Sequence, residues 1–100
     1  MSALDWVRNK ATQTEIDTME IPAESAGEGT KAGTWRVTRW HYKGTLPVKM
    51  AAQIRNEICK LVKVESGDIQ TTETLKIGGQ YRSDYNKCEF FRTVYEFQGA

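Results

Sequence analysis

The sequence predicts an α+β fold in which one long amphipathic helix packs on one face of a small antiparallel sheet of about four strands. Four segments rich in β-branched and aromatic residues predict the strands, and one segment with apolar residues at intervals of three and four predicts the helix. A one-sided helix and a sheet each need a covered face, so packing one on the other is the economical arrangement. With a short helix at the N-terminus, the expected order is (α)ββαββ.

The size and composition predict a single domain spanning residues 1–100. A chain of 100 residues supports one hydrophobic core, and 39% apolar with 27% charged residues is typical of a packed domain rather than a disordered chain. No apolar run approaches the ~20 residues that cross a bilayer, and the N-terminus lacks the apolar stretch of a secretory signal. Two cysteines, Cys59 and Cys88, are too few for a disulfide scaffold. We therefore expect a cytoplasmic protein with reduced thiols and no membrane partner.

The first third of the chain predicts a short helix, a strand and a loop. Ser2 with Asp5 three residues later is typical of an N-cap and an acidic first turn, with a loose arm as the alternative. Residues 15–21 are rich in Ile, Thr and Met and predict a strand, with a helical turn as the alternative. Residues 22–33 contain three glycines and a proline and no bulky apolar side chain, so they predict a flexible loop.

Residues 34–43 predict the clearest strand, because β-branched and aromatic residues dominate them. Alternation places four of them on one face: Trp35, Val37, Arg39 and His41. The other face receives Arg36, Thr38, Trp40 and Tyr42. Neither face is wholly apolar, so we expect either a bulge that changes the buried set along the strand or aromatic side chains exposed on one side.

Residues 47–63 predict the long helix, with Thr45 as its N-cap and Pro47 in its first turn. Its apolar stripe consists of Val48, Ala51, Ile54, Ile58, Leu61 and Val62. Towards the opposite side lie Lys49, Gln53, Asn56, Glu57, Lys60 and Lys63, with Arg55 on the flank. The solvent face of this helix is therefore expected to be basic. Two further strands are predicted at residues 68–77 and 88–97, separated by glycine- and polar-rich turns.

The charges are strongly segregated along the chain, although the formal net charge is only +1. Residues 31–63 carry eight lysines and arginines against one glutamate, a local net charge of +7, while residues 1–30 carry −4 and residues 64–100 carry −2. The basic segment also holds the aromatic strand, and cations beside aromatic rings are typical of macromolecular binding surfaces. The candidate binding residues are Arg36, Arg39, Trp40, Tyr42, Lys43, Lys49, Arg55 and Lys60.

These features favour a non-enzymatic interaction module that binds a protein partner or complex through a basic, aromatic surface. The alternative is RNA or single-stranded DNA binding through strand 34–43 and the basic face of helix 47–63. A purely structural interpretation also stays open, in which the aromatic residues fill the core and the cations pair with the acidic flanks. A second copy of the chain is a further candidate partner, because edge strands of small sheets readily pair.

The sequence contains no motif that predicts catalysis, a cofactor or a metal. His41 is the only histidine, and neither Cys59 nor Cys88 lies at a predicted helix N-terminus that would activate a thiol. One histidine and two cysteines fall short of the four ligands of a structural zinc site. The glycine clusters do not precede the Lys-Ser/Thr pair of a phosphate-binding loop. We therefore expect no catalytic residues, no metal site and no cofactor.

Overall fold

The computed structural model describes residues 2–27, 30–54, 58–78 and 84–100. The elements are helix α1 (Ala3–Lys10), strand β1 (Thr12–Ile21), a 3-10 turn (Ala23–Ser25), strand β2 (Gly33–Thr45), helix α2 (Val48–Ile54), and strands β3 (Ile58–Ser66), β4 (Ile69–Ile77) and β5 (Lys87–Gly99). The five strands of this described part form one sheet in the order β1-β2-β5-β4-β3, and every neighbouring pair is antiparallel. Strands β1 and β3 are therefore the two edges.

The predicted long helix over residues 47–63 is wrong, and so is the count of about four strands. Helix α2 ends at Ile54, and the second half of the predicted helix is strand β3, which begins at Ile58 and pairs with β4. The residues of β3 include β-branched Ile58, Val62 and Val64, which fit a pleated strand better than a helix. The apolar residues at positions 58, 61 and 62 continue the spacing of three and four that predicts a helix, but they belong to a strand.

The short N-terminal helix is confirmed, together with its cap. The Ser2 side chain accepts a hydrogen bond from the Asp5 backbone N–H at 3.2 Å and donates one to the Asp5 carboxylate at 2.9 Å. The hydrogen bond from Ser2, with a further contribution from Arg8, lowers the pKa of Asp5. This arrangement satisfies a backbone donor that a helix N-terminus otherwise leaves unpaired.

The hydrophobic core lies between the two helices and one side of the sheet, which we call the helix face. Both helices, the connection before α2 and strands β4 and β5 contribute buried residues: Ala3, Val7, Leu46, Ala51, Leu75, Ile77, Cys88 and Phe90. A fully buried large apolar side chain contributes about 1.5–3 kcal/mol. The helices are short, but their packing against the sheet encloses four of the five largest side chains that are less than 2% exposed: Phe90, Leu46, Leu75 and Val7.

One ion pair connects α1 to the sheet beside this core. The Arg8 guanidinium donates two hydrogen bonds to the Glu73 carboxylate, at 2.6 Å from Nε and 2.5 Å from Nη2. Glu73 is buried, whereas the Arg8 side chain is 30% exposed. The bidentate contact raises the pKa of Arg8, and it supplies the charge partner that a buried carboxylate requires.

Strand β2 is buried on opposite faces at its two ends. Trp35 and Val37 are buried on the side of the sheet away from the helices, which we call the open face, whereas Tyr42 packs against the core on the helix face. The segment before β2 covers the first end, because the Trp35 indole N–H donates to the Lys31 carbonyl oxygen at 2.9 Å. The register with β5 is continuous from Trp35 onward, so the predicted alternation is confirmed and no bulge within 35–45 produces the change.

Candidate interaction surfaces

The structure distributes the predicted binding residues over separate parts of the fold. Strand β2 directs its predicted residues alternately to the two faces of the sheet, and α2 and β3 carry the others. The helix face receives Arg36, Trp40 and Tyr42, the open face receives Arg39, Lys43 and Lys60, and Lys49 lies on α2. Arg55 lies outside the described residues. The seven predicted residues that the structure describes therefore do not lie together on one surface.

The predicted residues on the helix face are engaged in contacts within the chain. Arg36 forms an ion pair with Glu96 at 3.0 Å, and the Trp40 ring lies 5.0 Å from the guanidinium of Arg92. Tyr42 packs against the core, and burial raises the pKa of its hydroxyl. Tyr42 is therefore part of the core, whereas Arg36 is exposed but already paired with a carboxylate.

Arg39 is neutralised on the open face by the acidic N-terminal third of the chain. Its guanidinium donates hydrogen bonds to Glu15 and, at 2.9 Å, to Asp17, and both carboxylates lie on the neighbouring strand β1. These side chains are about half exposed, so each pair contributes little to stability. The structural interpretation of the charge pattern, in which cations pair with the acidic flanks, is therefore correct for Arg39.

Three lysines on the open face are not neutralised in this way. Lys43, Lys60 and Lys76 come from β2, β3 and β4, and all three side chains are exposed. Within the described residues, none of them forms an ion pair with a carboxylate. The register places Lys43 and Lys76 on either side of Glu89. We call this part of the open face, centred on Phe91 and bearing the three lysines, the lysine face.

The centre of the lysine face is a pair of stacked rings. Phe91 is 44% exposed, and its ring lies parallel to that of His41, with centroids 4.5 Å apart. His41 Nε2 lies 3.3 Å from a Glu89 carboxylate oxygen but has no hydrogen-bond partner. A depression of about 320 Å³, to which neither ring contributes, is lined in part by Lys43, Lys76 and Glu89. An exposed ring beside unpaired ammonium groups suits a ligand with both apolar and anionic groups.

Sequence reasoning missed Phe91 and Lys76 as candidate surface residues. The last predicted strand has aromatic residues on both faces, so alternation does not show which of them is exposed. The relevant signal is the position of β5 in the middle of the sheet, with its other face against the helices. That position follows from the strand order and not from the sequence of β5.

Strand β3 presents a second exposed surface at the edge of the sheet. Ile58, Val62 and Val64 are 68%, 52% and 63% exposed on the open face, and Leu61 is 42% exposed on the helix face. The other edge strand, β1, is the more polar of the two and carries several carboxylates. Large exposed aliphatic side chains along an edge strand are typical of a site that pairs with another chain.

The geometry separates the groups that nucleophilic catalysis would require. His41 lies on the open face, whereas Cys88 is buried in the core on the helix face, and Cys59 packs against the same core. Burial raises the pKa of the Cys88 thiol, which disfavours the reactive thiolate. Among the described residues, no three His, Cys, Asp or Glu side chains are grouped to hold a metal ion.

Neither a membrane segment nor a relative indicates a function. In the part of the chain that the structure describes, no helix combines the length and the apolar character that crossing a membrane requires. The chain matches no protein-family model, no curated protein and no solved structure.

Proposed function

We propose that the chain is a non-enzymatic interaction module that binds an acidic segment of a partner protein on the lysine face. The supporting observation is the combination of three exposed lysines, which have no ion-pair partner among the described residues, with the exposed ring of Phe91 on an open sheet surface. Lysines that are already neutralised, or a ring that is buried, would leave nothing for a partner to bind. Carboxylates of the partner would pair with the lysines, and an apolar residue would pack on the ring.

The surroundings of the lysine face favour a partner of mixed acidic and apolar character. Exposed Ile58 and Val62 lie beside Lys60 on the same face, so apolar surface borders the cations directly. The depression beside Lys43 gives a side chain of the partner a place to enter. Charged contacts of this exposed kind set specificity and association rate more than affinity, so the apolar contacts carry most of the binding free energy.

Nucleic-acid binding is the less favoured alternative. Trp40 and Tyr42, the predicted stacking residues, lie on the helix face, and Arg36 and Arg39 are paired with carboxylates. Phe91 offers one ring, already stacked on His41, with the Glu89 carboxylate beside it. Readers of single strands instead combine several free cations with stacking rings along a groove.

The proposal is tested by reversing the charge of the lysine face. The triple variant Lys43→Glu, Lys60→Glu, Lys76→Glu is compared with the unaltered chain for protein capture from nuclease-treated extract of the native host. The matched control is Lys49→Glu, an exposed lysine on α2. We expect the triple variant to lose at least about tenfold in capture of specific proteins, equivalent to about 1.4 kcal/mol, and the control to retain it. Equal capture by the triple variant and the unaltered chain would contradict the proposal.

A second measurement separates the two classes of partner. Fluorescence anisotropy with a labelled mixed-sequence single-stranded RNA is recorded at low and moderate salt for the same three proteins. If the partner is a protein, we expect no binding of this RNA that depends on the three lysines. Tight binding that weakens steeply with salt and disappears in the triple variant would instead favour the nucleic-acid alternative.

A further inference from the structure

The outer edge of β3 has the properties of an unfilled strand-pairing site. The strand comprises nine residues, about 30 Å at ~3.4 Å per residue, and among the described residues it pairs with β4 alone, along its inner edge. An edge strand of this length presents a row of backbone donors and acceptors. Four large aliphatic side chains, Ile58, Leu61, Val62 and Val64, are exposed along it.

The two edges of the sheet differ in how they discourage pairing. Strand β1 presents Glu15, Asp17 and Glu20 among its exposed residues, and exposed charges are the usual protection of an edge. Strand β3 also carries exposed charges, Lys60 and Lys63, but they lie among four large exposed aliphatic side chains, whereas β1 exposes two large apolar side chains beside its carboxylates. The protection is therefore weaker at the β3 edge than at the β1 edge.

The sequence of β3 is complementary to itself. Antiparallel pairing of two β3 strands about Val62 places Lys60 opposite Val64 of the second copy, and Lys63 opposite Leu61 of the second copy. No lysine then faces a like charge directly, and the aliphatic stem of each lysine covers an exposed aliphatic side chain. In this register Val62 would lie opposite Val62 of the second copy, at the two-fold axis.

We propose that two copies of the chain pair antiparallel through β3 and form one continuous ten-stranded sheet. A two-fold axis perpendicular to the sheet closes the assembly, whereas pairing of β3 with β1 of the next copy would be open-ended. The same axis places both lysine faces on one side of the sheet, although the pairing does not depend on what those faces bind. A single strand pair buries less than the ~800 Å² per partner of a standard interface, so we expect a dissociation constant on the order of 10 μM.

Sedimentation velocity over about 1 to 300 μM protein, a range that brackets this constant, tests the oligomeric state. The variant Val62→Lys places two lysines against each other at the axis. Its matched control is Ile16→Lys, which adds the same charge at the opposite edge, where Ile16 is 58% exposed. We expect the unaltered chain and the control to convert from monomer to dimer, and Val62→Lys to bind at least about tenfold more weakly. Circular dichroism confirms that both variants are folded.

A disulfide reports the register directly. In antiparallel pairing about Val62, the two Cβ atoms at the axis lie about 4.5–5.5 Å apart, close enough for a disulfide after a small adjustment. Mild oxidation of Val62→Cys is therefore expected to give a covalent dimer. The unaltered chain, which carries Cys59 and Cys88, and Ile16→Cys report the background.

Three results would overturn the proposal. The first is an unaltered chain that stays monomeric throughout the concentration range, and the second is growth beyond the dimer, which indicates pairing of β3 with β1. The third is a control at Ile16 that behaves like the corresponding Val62 variant. A failure here leaves the lysine-face proposal standing, because capture of a partner protein is measured separately.

Discussion

At the scale of single residues, Phe90 and Phe91 show how the sheet gives chemically identical neighbours different roles. Phe90 is fully buried against the helices, whereas Phe91 is 44% exposed on the lysine face. We expect Phe90→Ala to lower the free energy of unfolding by about 3–5 kcal/mol because it leaves a core cavity. Phe91→Ala is expected to cost less than about 1 kcal/mol. Urea unfolding measures both, and similar losses would contradict the assignment of the two rings.

The Arg8–Glu73 pair makes a second prediction at this scale. Removing the guanidinium leaves a buried carboxylate without its partner, and because Arg8 is partly exposed we expect Arg8→Met to cost about 2–3 kcal/mol. The double variant Arg8→Met, Glu73→Leu is expected to recover most of this loss, since it removes the buried charge as well. The control is Arg36→Met in the exposed pair with Glu96, where the expected cost is below about 1 kcal/mol. Thermal unfolding measures the stability of each variant. An equal loss of stability in Arg8→Met and Arg36→Met would contradict the prediction that the buried pair matters more.

At the scale of elements, the sequence predicts elements well where local signals agree. Residues 34–43 lie within β2, because alternation and β propensity indicate the same state there. The segment 47–63 fails because its first turns are helical while Ile58, Val62 and Val64 favour a strand. Strand β4 follows across a tight turn and offers this segment backbone partners, from Ile69 opposite Ser66 to Lys76 opposite Ile58. The periodicity within 47–63 contains no information about a partner outside that segment, so the predicted helix extends too far.

The start of β2 supplies a prediction about an element boundary. Gly33 has φ of +140°, and a Cβ added there would lie 2.3 Å from the Gly99 carbonyl oxygen of β5. We expect Gly33→Ala to destabilise the fold by about 2–3 kcal/mol, through both the backbone conformation and the clash. Gly27→Ala is the control, because a Cβ there meets nothing within 4 Å. Urea unfolding gives the comparison, and a neutral Gly33→Ala would mean that β2 and β5 do not approach so closely.

At the scale of the whole molecule, the lysine face depends on topology that no local pattern reveals. The three lysines, Lys43, Lys60 and Lys76, lie on three different strands. They share one surface because β2, β5, β4 and β3 are neighbours in that order and the register directs all three side chains to the open face. Counting charges along the chain groups the cations by sequence position and leaves Lys76 outside the basic segment 31–63. Alternation then divided them between two faces, and β1 neutralised Arg39. Only the strand order determines which cations remain unpaired on one surface.

The strand order also predicts how stability is distributed across the sheet. Strands β2, β5 and β4 have hydrogen-bonded neighbours on both sides, whereas β1 and β3 are edges. We therefore expect amide hydrogen exchange, followed by mass spectrometry, to be slowest in β5 and β2 and fast in β1. Dimerisation through β3 adds a distinct signature, because pairing protects its outer amides without affecting β1. Exchange in β3 should slow as protein concentration rises, and Val62→Lys should abolish that dependence. Concentration-independent exchange in β3 of the unaltered chain would show that its edge stays unpaired.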